Sequence, residues 1–497
     1  MIKNTLVLLL VFMSLIVSGC GSPGEKLLAQ ARGLEERTEY FLAFDAYLKA
    51  VGQLRKEGNT AKIDECRYAL TRTEKITLTY NLSKEAAVKM IKQAFPGTTD
   101  LRIGELIKEG RLPHLRIGGR VYYFTGFLNT LAHLYPDFRS KQTATALGKS
   151  ANFFKIMSRY IYEKEDLKPG QTLTHPIRYL AKAQARIPWK LLPQKGLLKV
   201  WVPLPLVTAA QQNIEILDLY PRKYVKYPIK QDGDIGLVYF EIPLQEIKAD
   251  LLIGLDLKFT HFEERVKVDP AKIGRYDLNS DLYNKYTAPG GNIALTPMIR
   301  ATAKKLAGNE RNPYRIAKIF FDHIVWDLDY SYTPHPALEV LNIPESVYVH
   351  EHGYGDCGAQ SMYFAALCRS VGIPARAPGG MQLFPISQTG CGDHFWAQFY
   401  LPNYGWVPVD TSAGQLAKYI PALTKKQQRD FADYYFAGMD PFRYLIQQDV
   451  DIPFIPAPDG PLAFGMVLQE PTAVCAEMDR NPGLLFMDNW KMTVKPY

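Results

Sequence analysis

A glycine-flanked cysteine at the start of a predicted helix constrains this 497-residue chain more than any other feature. Residues 353–361 read GYGDCGAQS, and the spacing of apolar residues after them predicts a helix that begins at Cys357. Asp356 is a preferred N-cap residue, and Gly372 and Pro374 are typical of a helix end. Unpaired N–H groups and the helix dipole favour a thiolate in the first turn. The pattern predicts a nucleophilic thiol that still needs a base, because the neighbouring carboxylate opposes its ionisation.

A hairpin farther along the chain offers the base and a carboxylate to orient it. Residues around His394 alternate like a strand, then turn and return as a partner strand that ends at Asp410. A three-residue loop pairs Leu401 with Gly405 and therefore Trp396 with Asp410, which places Asp410 on the face of His394. A loop of two or four residues would reverse the face unless a bulge intervenes. Thiol, imidazole and carboxylate can thus converge as nucleophile, base and orienting acid.

The contexts of these three residues resemble the transglutaminase-like superfamily. The matching segments are GDC at 355–357, FAALCRSVGIPAR at 364–376, HFW at 394–396 and GWVPVD at 405–410. The resemblance covers about residues 290–415, and the later segment DYYFAGMDPFRYL resembles a flank of bacterial members. It implies a papain-like catalytic core in which Cys357 is the nucleophile, His394 the general base and acid, and Asp410 the orienter.

The resemblance also implies a reaction class. Cys357 would attack an amide or peptide carbonyl and form a thioester, which water would hydrolyse (peptidase or amidase) or an amine would capture (transglutaminase). Trp326 and Tyr354 are candidate cleft walls or oxyanion donors, with aromatic packing as the alternative. We expect a protein or peptide substrate and no cofactor or metal.

The N-terminus predicts export and a lipid anchor. Lys3 precedes an apolar run over residues 5–17, which is too short to span a bilayer and is typical of a signal peptide. The following VSGC resembles a bacterial lipobox, so residues 1–20 are the expected signal peptide and Cys20 the lipidated residue. We expect an envelope protein facing outside the cytoplasm. Five further cysteines leave at least one thiol unpaired in a monomer.

Hydrophobic periodicity predicts an α+β protein of several domains. A mainly helical N-terminal region and an antiparallel β-sandwich-like domain are expected to precede the catalytic core. Within the β-rich region, Leu251 to Phe259 alternate as one apolar face. The predicted divisions are a helical region at 21–80, a small mixed α/β region at 81–170, a β-rich domain at 171–270, the catalytic domain at 290–415 and a C-terminal extension packed on the core at 416–497.

Other function classes fit the sequence less well. The net charge of +9 is spread along the chain, and no basic block interleaved with aromatics indicates nucleic acid. The helix-then-hairpin pattern at 106–123 is similar to DNA-binding modules, but export excludes that use.

Two alternatives remain open at this point. One is a catalytically inactive, lipid-anchored envelope scaffold with the same fold. The other is a zinc-binding module built from Cys391, His394 and Cys357 with the two histidines of His350-x-His352. Cys391 could also form a reversible disulfide with Cys357 as a switch.

Overall fold

A computed structural model describes most of the chain, and the helical N-terminal region is its first unit. The described residues are 21–139, 144–162, 167–168, 170–231, 233–384, 390–420 and 423–497, without the side chains of 144–151. The predicted signal peptide and Cys20 therefore lie outside them. Three helices pack together around their own apolar cluster: α1 (Pro23–Glu36), α2 (Tyr40–Glu57) and α3 (Thr60–Thr79).

A small mixed region follows these helices. Its three-stranded sheet has the order β1–β3–β2, and Ser83 caps the helix after β1 by accepting the N–H of Ala86. Its apolar cluster includes Tyr348 and Tyr354, so it packs directly on the predicted catalytic domain, here called the catalytic region. The elements are β1 (Tyr80–Ser83), α4 (Lys84–Ala94), α5 (Asp100–Glu109), β2 (His114–Ile117), β3 (Arg120–Phe124), α6 (Phe127–Leu134), α7 (Pro136–Arg139) and α8 (Ala144–Tyr162).

The β-rich region forms two antiparallel sheets whose inner faces share the largest apolar cluster of the molecule. The predicted alternation is confirmed, since Leu251, Ile253, Leu255, Leu257 and Phe259 are all buried. The strands are β4 (Leu173–Ile187), β5 (Leu197–Pro203), β6 (Gln211–Tyr220), β7 (Val225–Lys230), β8 (Leu237–Pro243) and β9 (Leu251–Arg265).

The catalytic region is built around one buried helix, α14 (Cys357–Ser370). Every residue from 358 to 369 is buried, as expected for a helix that is covered on all sides. The elements before it are α9 (Asp281–Thr287), α10 (Pro297–Ala307), α11 (Pro313–Asp322), β10 (Asp329–Tyr330), α12 (His335–Leu341), α13 (Glu345–His352) and β11 (Tyr354–Gly355). Those after it are β12 (Ala375–Arg376), β13 (Gly379–Phe384), β14 (Gly390–Phe395), β15 (Ala397–Leu401), β16 (Gly405–Val409) and α15 (Thr411–Gln415).

The C-terminal part of the chain completes sheets that begin elsewhere. Strand β17 pairs with β9, β20 with β4, and β19 with β5, while β18 pairs with β13 beside the catalytic helix. The chain after residue 416 thus supplies strands to both sheets of the β-rich region. Its elements are α16 (Lys425–Tyr434), β17 (Gly438–Met439), β18 (Arg443–Gln447), β19 (Thr472–Val474), α17 (Pro482–Asn489) and β20 (Trp490–Pro496).

The structure confirms the predicted fold class, an α+β protein with several antiparallel sheets and a helical N-terminal region. The domain boundaries stay a prediction. Among the described residues, no helix combines the length and the apolar character needed to cross a membrane.

Candidate active site

Cys357 is the first residue of α14, where the sequence places it. The Asp356 side chain caps the helix: its Oδ1 accepts the N–H groups of Gly358 at 3.1 Å and Ala359 at 3.2 Å. Loss of solvent around the sulfur raises the pKa of the Cys357 thiol well above its ordinary value, and the Asp356 carboxylate raises it further. The backbone N–H groups of Phe395 and Gly358 act in the opposite direction. The thiol thus rests protonated at neutral pH unless a neighbouring base takes its proton.

The imidazole and the carboxylate of the hairpin are in direct contact. His394 Nε2 lies 2.7 Å from Asp410 Oδ2, and the Asp410 side chain is fully buried. Because the Asp410 contact occupies Nε2, Nδ1 is the nitrogen that remains to accept a thiol proton. Strand β14, which carries His394, lies beside the helix tip, since the N–H of Phe395, the next residue, acts on the Cys357 sulfur.

The hairpin register is partly as predicted. Leu401 pairs with Gly405 through the expected three-residue loop. The ladder ends, however, at Ala397 and Val409, so the predicted pairing of Trp396 with Asp410 is wrong. The N–H of Trp396 instead bonds to Pro378 O at 3.2 Å, and that of Asp410 to Tyr435 O at 3.0 Å. The strand breaks there, yet the side chains of His394 and Asp410 still meet.

Besides His394, Asp410 contacts a buried arginine, Arg443, for which the sequence predicted no role. Arg443 Nη1 donates to Asp410 Oδ2 at 2.7 Å, and its Nη2 donates to Asp440 Oδ2 at 2.6 Å. All three side chains are fully buried or nearly so. Burial alone would raise the pKa of Asp410, but His394 and Arg443 hold it well below its usual range. The one signal in the sequence is a charged pair, Asp440 and Arg443, within the otherwise aromatic segment DYYFAGMDPFRYL.

A second buried network lies on the other side of Cys357. His335 Nε2 is 2.7 Å from Asp356 Oδ2, and its Nδ1 is 2.7 Å from Glu345 Oε1. The N–H of Thr333 also donates to Asp356 Oδ2, at 3.2 Å. Burial would lower the pKa of His335, but the two carboxylates raise it well above its ordinary value. The sequence analysis did not single out His335.

A cleft of about 370 Å³ opens onto the Cys357 sulfur. Three distant parts of the chain form its walls: helix α3, the segment before and at the start of α12, and the C-terminal chain around β19. The aromatic walls are Tyr330, Tyr332, Phe395 and Phe464, and the polar ones include His335, Asp393 and Glu470.

The structure places the predicted cleft aromatics elsewhere. Tyr354 is buried in the cluster shared with the mixed region, and its hydroxyl donates to Arg111 O at 2.8 Å. Trp326 packs against the main core within the π-helical turn His323–Asp327. Neither lines the cleft, so aromatic packing, the alternative that the sequence left open, describes both.

The histidines of the zinc alternative are engaged in packing. His350 Nδ1 contacts the Tyr363 hydroxyl at 3.2 Å, and His352 Nδ1 contacts Tyr348 O at 2.9 Å. Within the described ranges, no group of three or more His, Cys, Asp or Glu side chains is arranged to hold a metal ion. Cys391 lies near Met492 O at 3.5 Å, and all five described cysteines are free thiols.

Comparisons with known proteins match the catalytic region to a family. Residues 300–411 match the transglutaminase-like superfamily. The chain therefore contains a transglutaminase-like domain, which spans these residues. The match begins in α10 and ends just after Asp410, and so includes Cys357 and His394.

Individual relatives are more distant. An uncharacterized protein of Haemophilus influenzae is 25% identical over 248 residues, which cover 44% of this chain and 64% of the relative. The chain thus matches somewhat less than two thirds of that protein's length. A candidate cysteine protease of Cytophaga hutchinsonii is 15% identical, covers 48% of this chain and 78% of its own, and gives a TM-score of 0.34. The periplasmic domain of TgpA from Pseudomonas aeruginosa is 14% identical, with coverage of 52% and 92% and a TM-score of 0.28.

Proposed function

We propose that the protein is an extracytoplasmic, lipid-anchored cysteine acyl-transfer enzyme that acts on amide or peptide substrates through a thioester. The observation that carries the proposal is the 2.7 Å contact between His394 Nε2 on β14 and buried Asp410, which directly follows β16, together with the position of Cys357 at the start of α14. The transglutaminase-like match over 300–411 supports the same reaction class.

In the first half-reaction, His394 Nδ1 takes the thiol proton while the sulfur bonds to the carbonyl carbon. The carbonyl π electrons move to oxygen and form a tetrahedral oxyanion. As the oxyanion collapses, the C–N bond breaks and His394 returns the proton to the leaving amine. Asp410 holds the imidazole in the tautomer with its proton on Nε2 and stabilises the charged ring. The product is a Cys357 thioester.

In the second half-reaction, water attacks the thioester and gives its proton to His394. The C–S bond breaks, the acid leaves, and the thiolate is reprotonated by the same imidazole. An amine in place of water would give cross-linking. We favour hydrolysis, so the enzyme would be a peptidase or amidase.

The hydrogen bonds at the start of α14 limit which backbone N–H group can stabilise the oxyanion. Asp356 occupies the N–H groups of Gly358 and Ala359, and Gln360 N bonds to Asp356 O at 2.9 Å. Among the described hydrogen bonds, the N–H of Cys357 itself has no acceptor. We assign it as the helix-borne donor, worth about 3 kcal/mol to the transition state if well aligned.

The proposed location follows from the N-terminal sequence. An apolar run and the VSGC segment support signal-peptide cleavage and lipid attachment at Cys20. Mass spectrometry of the mature N-terminal peptide should find a lipidated Cys20, and Cys20→Ala should release the protein from membranes. An unmodified Cys20 in membrane fractions would contradict the anchor.

Trapping of the acyl-enzyme tests the reaction. The full chain is incubated with envelope extract, quenched in acid and digested, and the Cys357 peptide is searched for acyl adducts, with Cys357→Ala as control. A fluorescent primary amine added to a parallel sample separates cross-linking from hydrolysis. If the thiol reacts with iodoacetamide but never carries an acyl group, the scaffold alternative is favoured.

A further inference from the structure

His335 lies outside the proposed triad and contacts the carboxylate of the residue that precedes the Cys357 thiol. It begins α12 and lines the cleft that contains Cys357. Each of its ring nitrogens lies 2.7 Å from a carboxylate oxygen, one of Asp356 and one of Glu345. Asp356 is the residue directly before Cys357, so His335 touches the anion that most opposes ionisation of the thiol.

Proton counting shows that this cluster carries an extra proton. A neutral imidazole has one N–H donor and one acceptor, whereas an ionised carboxylate only accepts. Both short contacts can be hydrogen bonds only if His335 is an imidazolium or if one of the two carboxyl groups is protonated and donates to the ring. Although burial acts to raise the pKa of Asp356, contacts with His335 and with backbone N–H groups lower it, so Asp356 is the ionised partner that accepts the N–H of Nε2, and the two carboxylates favour the imidazolium form of His335. The Glu345 and Asp356 side chains are almost wholly enclosed, which makes the bonds strong and their loss costly.

We propose that His335 is a positioning residue that neutralises Asp356 and so allows Asp356 to cap the catalytic helix without suppressing the Cys357 thiolate. The inference deepens the proposed function and rests on it, since it assigns a role around the same nucleophile. The cap holds the first turn of the helix by accepting the N–H groups of Gly358 and Ala359, and the imidazolium removes the charge cost of that cap.

Other titratable groups lie near the same site, so the experiment must separate their effects on the Cys357 thiol from the effect of His335. The charge of His335 also acts to lower the pKa of Asp393 on β14, which lines the same cleft. The charge of Asp451 acts to raise the pKa of Glu345. Besides Asp356, the titratable groups that interact with Cys357 are Asp410, Tyr330 and Tyr332. Only Asp356 touches His335 and directly adjoins Cys357, so coupling between the two substitutions isolates this contact.

A double-mutant cycle on thiol reactivity provides the test. The rate of iodoacetamide alkylation of the Cys357 peptide is measured from pH 5.5 to 10 in full-length protein. The variants are H335N, D356N and H335N/D356N, and Asn at 356 retains the ability to cap a helix. The matched control is H350N, because His350 contacts Tyr363 and does not line the cleft.

We expect H335N to move the alkylation midpoint upward by about 1 pH unit. In the D356N background the same substitution should move it by less than about a third of that, since the anion is gone. H350N should leave the midpoint unchanged. A role limited to packing would lower the melting temperature and leave the midpoint in place, and that result would overturn the proposal. An equal shift in both backgrounds would overturn it too.

A second variant covers the case in which H335N does not fold. E345Q keeps the side-chain shape and removes the outer carboxylate, so the imidazolium is less favoured and the midpoint should rise by a smaller amount. An unchanged midpoint in folded E345Q counts against the proposal. The alkylation cycle needs no substrate, so it can succeed or fail whether or not an acyl adduct is ever trapped on Cys357.

Discussion

Two buried carboxylates flank the catalytic helix tip, and each is neutralised by one cation held between two acids. On one side Arg443 lies between Asp410 and Asp440; on the other, His335 lies between Asp356 and Glu345. We call these the arginine clamp and the histidine clamp. The architecture is the same, but the cations differ. Arginine remains charged at any pH that a folded protein meets, whereas histidine can lose its proton.

The difference matches the tasks of the two carboxylates. Asp410 must stay ionised to orient His394, and a permanent guanidinium holds its pKa well below the usual range. Asp356 caps the helix, and its charge opposes the nucleophile beside it. A histidine, whose charge depends on pH and on its surroundings, is sufficient to neutralise Asp356. The comparison teaches that two carboxylates near one thiol can have opposite roles. The charge of Asp410 serves to orient His394, whereas the charge of Asp356 opposes ionisation of Cys357 and must be neutralised.

The same amide substitution at the two carboxylates should have very different effects on activity. Asp410→Asn presents a donor to His394 Nε2 and favours the wrong tautomer, so thioester formation should slow by about 10³ to 10⁴. Asp356→Asn keeps the helix cap and removes an unfavourable charge, so the rate should change by less than about tenfold. Single-turnover accumulation of the Cys357 adduct measures both. Similar losses in the two variants would contradict the division of roles.

Removal of the cation should destabilise the arginine clamp strongly. Arg443→Met leaves Asp410 and Asp440 buried without a counter-charge, at a cost of about 3–5 kcal/mol in the free energy of unfolding. The matched control is Lys426→Met, which breaks the exposed pair of Lys426 with Asp430 and should cost less than about 0.5 kcal/mol. Urea unfolding followed by tryptophan fluorescence compares them. A loss below about 1 kcal/mol for Arg443→Met would show that the clamp is not a stabilising element.

The two clamps should also differ in how their stability contributions depend on pH. The folded pKa of His335 lies above its unfolded value, so its contribution is complete below about pH 6.5 and is lost as the pH rises through the folded pKa. The unfolding free-energy difference between wild type and His335→Asn should therefore shrink above neutral pH, by up to about 1.4 kcal/mol per pH unit.

The arginine clamp provides the contrast. The pKa of Asp410 is lowered, so its contribution is present above about pH 4 and is lost only in stronger acid. The difference between wild type and Arg443→Met should stay constant between pH 6 and 9. Urea midpoints across that range test both statements. A constant difference for His335→Asn would mean that its proton is not part of the folded state's stability.

Local signals in the sequence account for the backbone structure around the candidate site residues. The N-cap at Asp356, the tight loop that pairs Leu401 with Gly405 and the alternation around His394 each depend on residues a few positions apart. Such features follow from backbone geometry and can be predicted. The exact end of the ladder could not, because Trp396 finds its acceptor, Pro378 O, on another segment.

Long-range pairing accounts for what the sequence did not reveal. The local pair of Asp440 and Arg443 indicates a buried charge but does not identify Asp410, 33 positions away, as its second partner. Strand β20 pairs with β4 across about 300 residues, so a division of the chain by local pattern assigned it to a separate extension. The stretch between the predicted β-rich and catalytic domains contains the helix α9, which Ser280 caps. Only tertiary packing decides these features.

Single hydroxyl groups provide the finest comparison of the clamps. Ser412 donates to Asp410 Oδ1 at 2.9 Å, whereas the Thr333 hydroxyl accepts the N–H of Asp356 at 3.2 Å. Ser412→Ala should cost about 1 kcal/mol or less in urea unfolding, because Asp410 keeps three other donors, which include the N–H of Ala413. Thr333→Val leaves a buried backbone N–H without its acceptor, which should cost about 1–2 kcal/mol. If the order is reversed, the carboxylate of the arginine clamp depends on each of its donors, and its stability does not come mainly from the guanidinium.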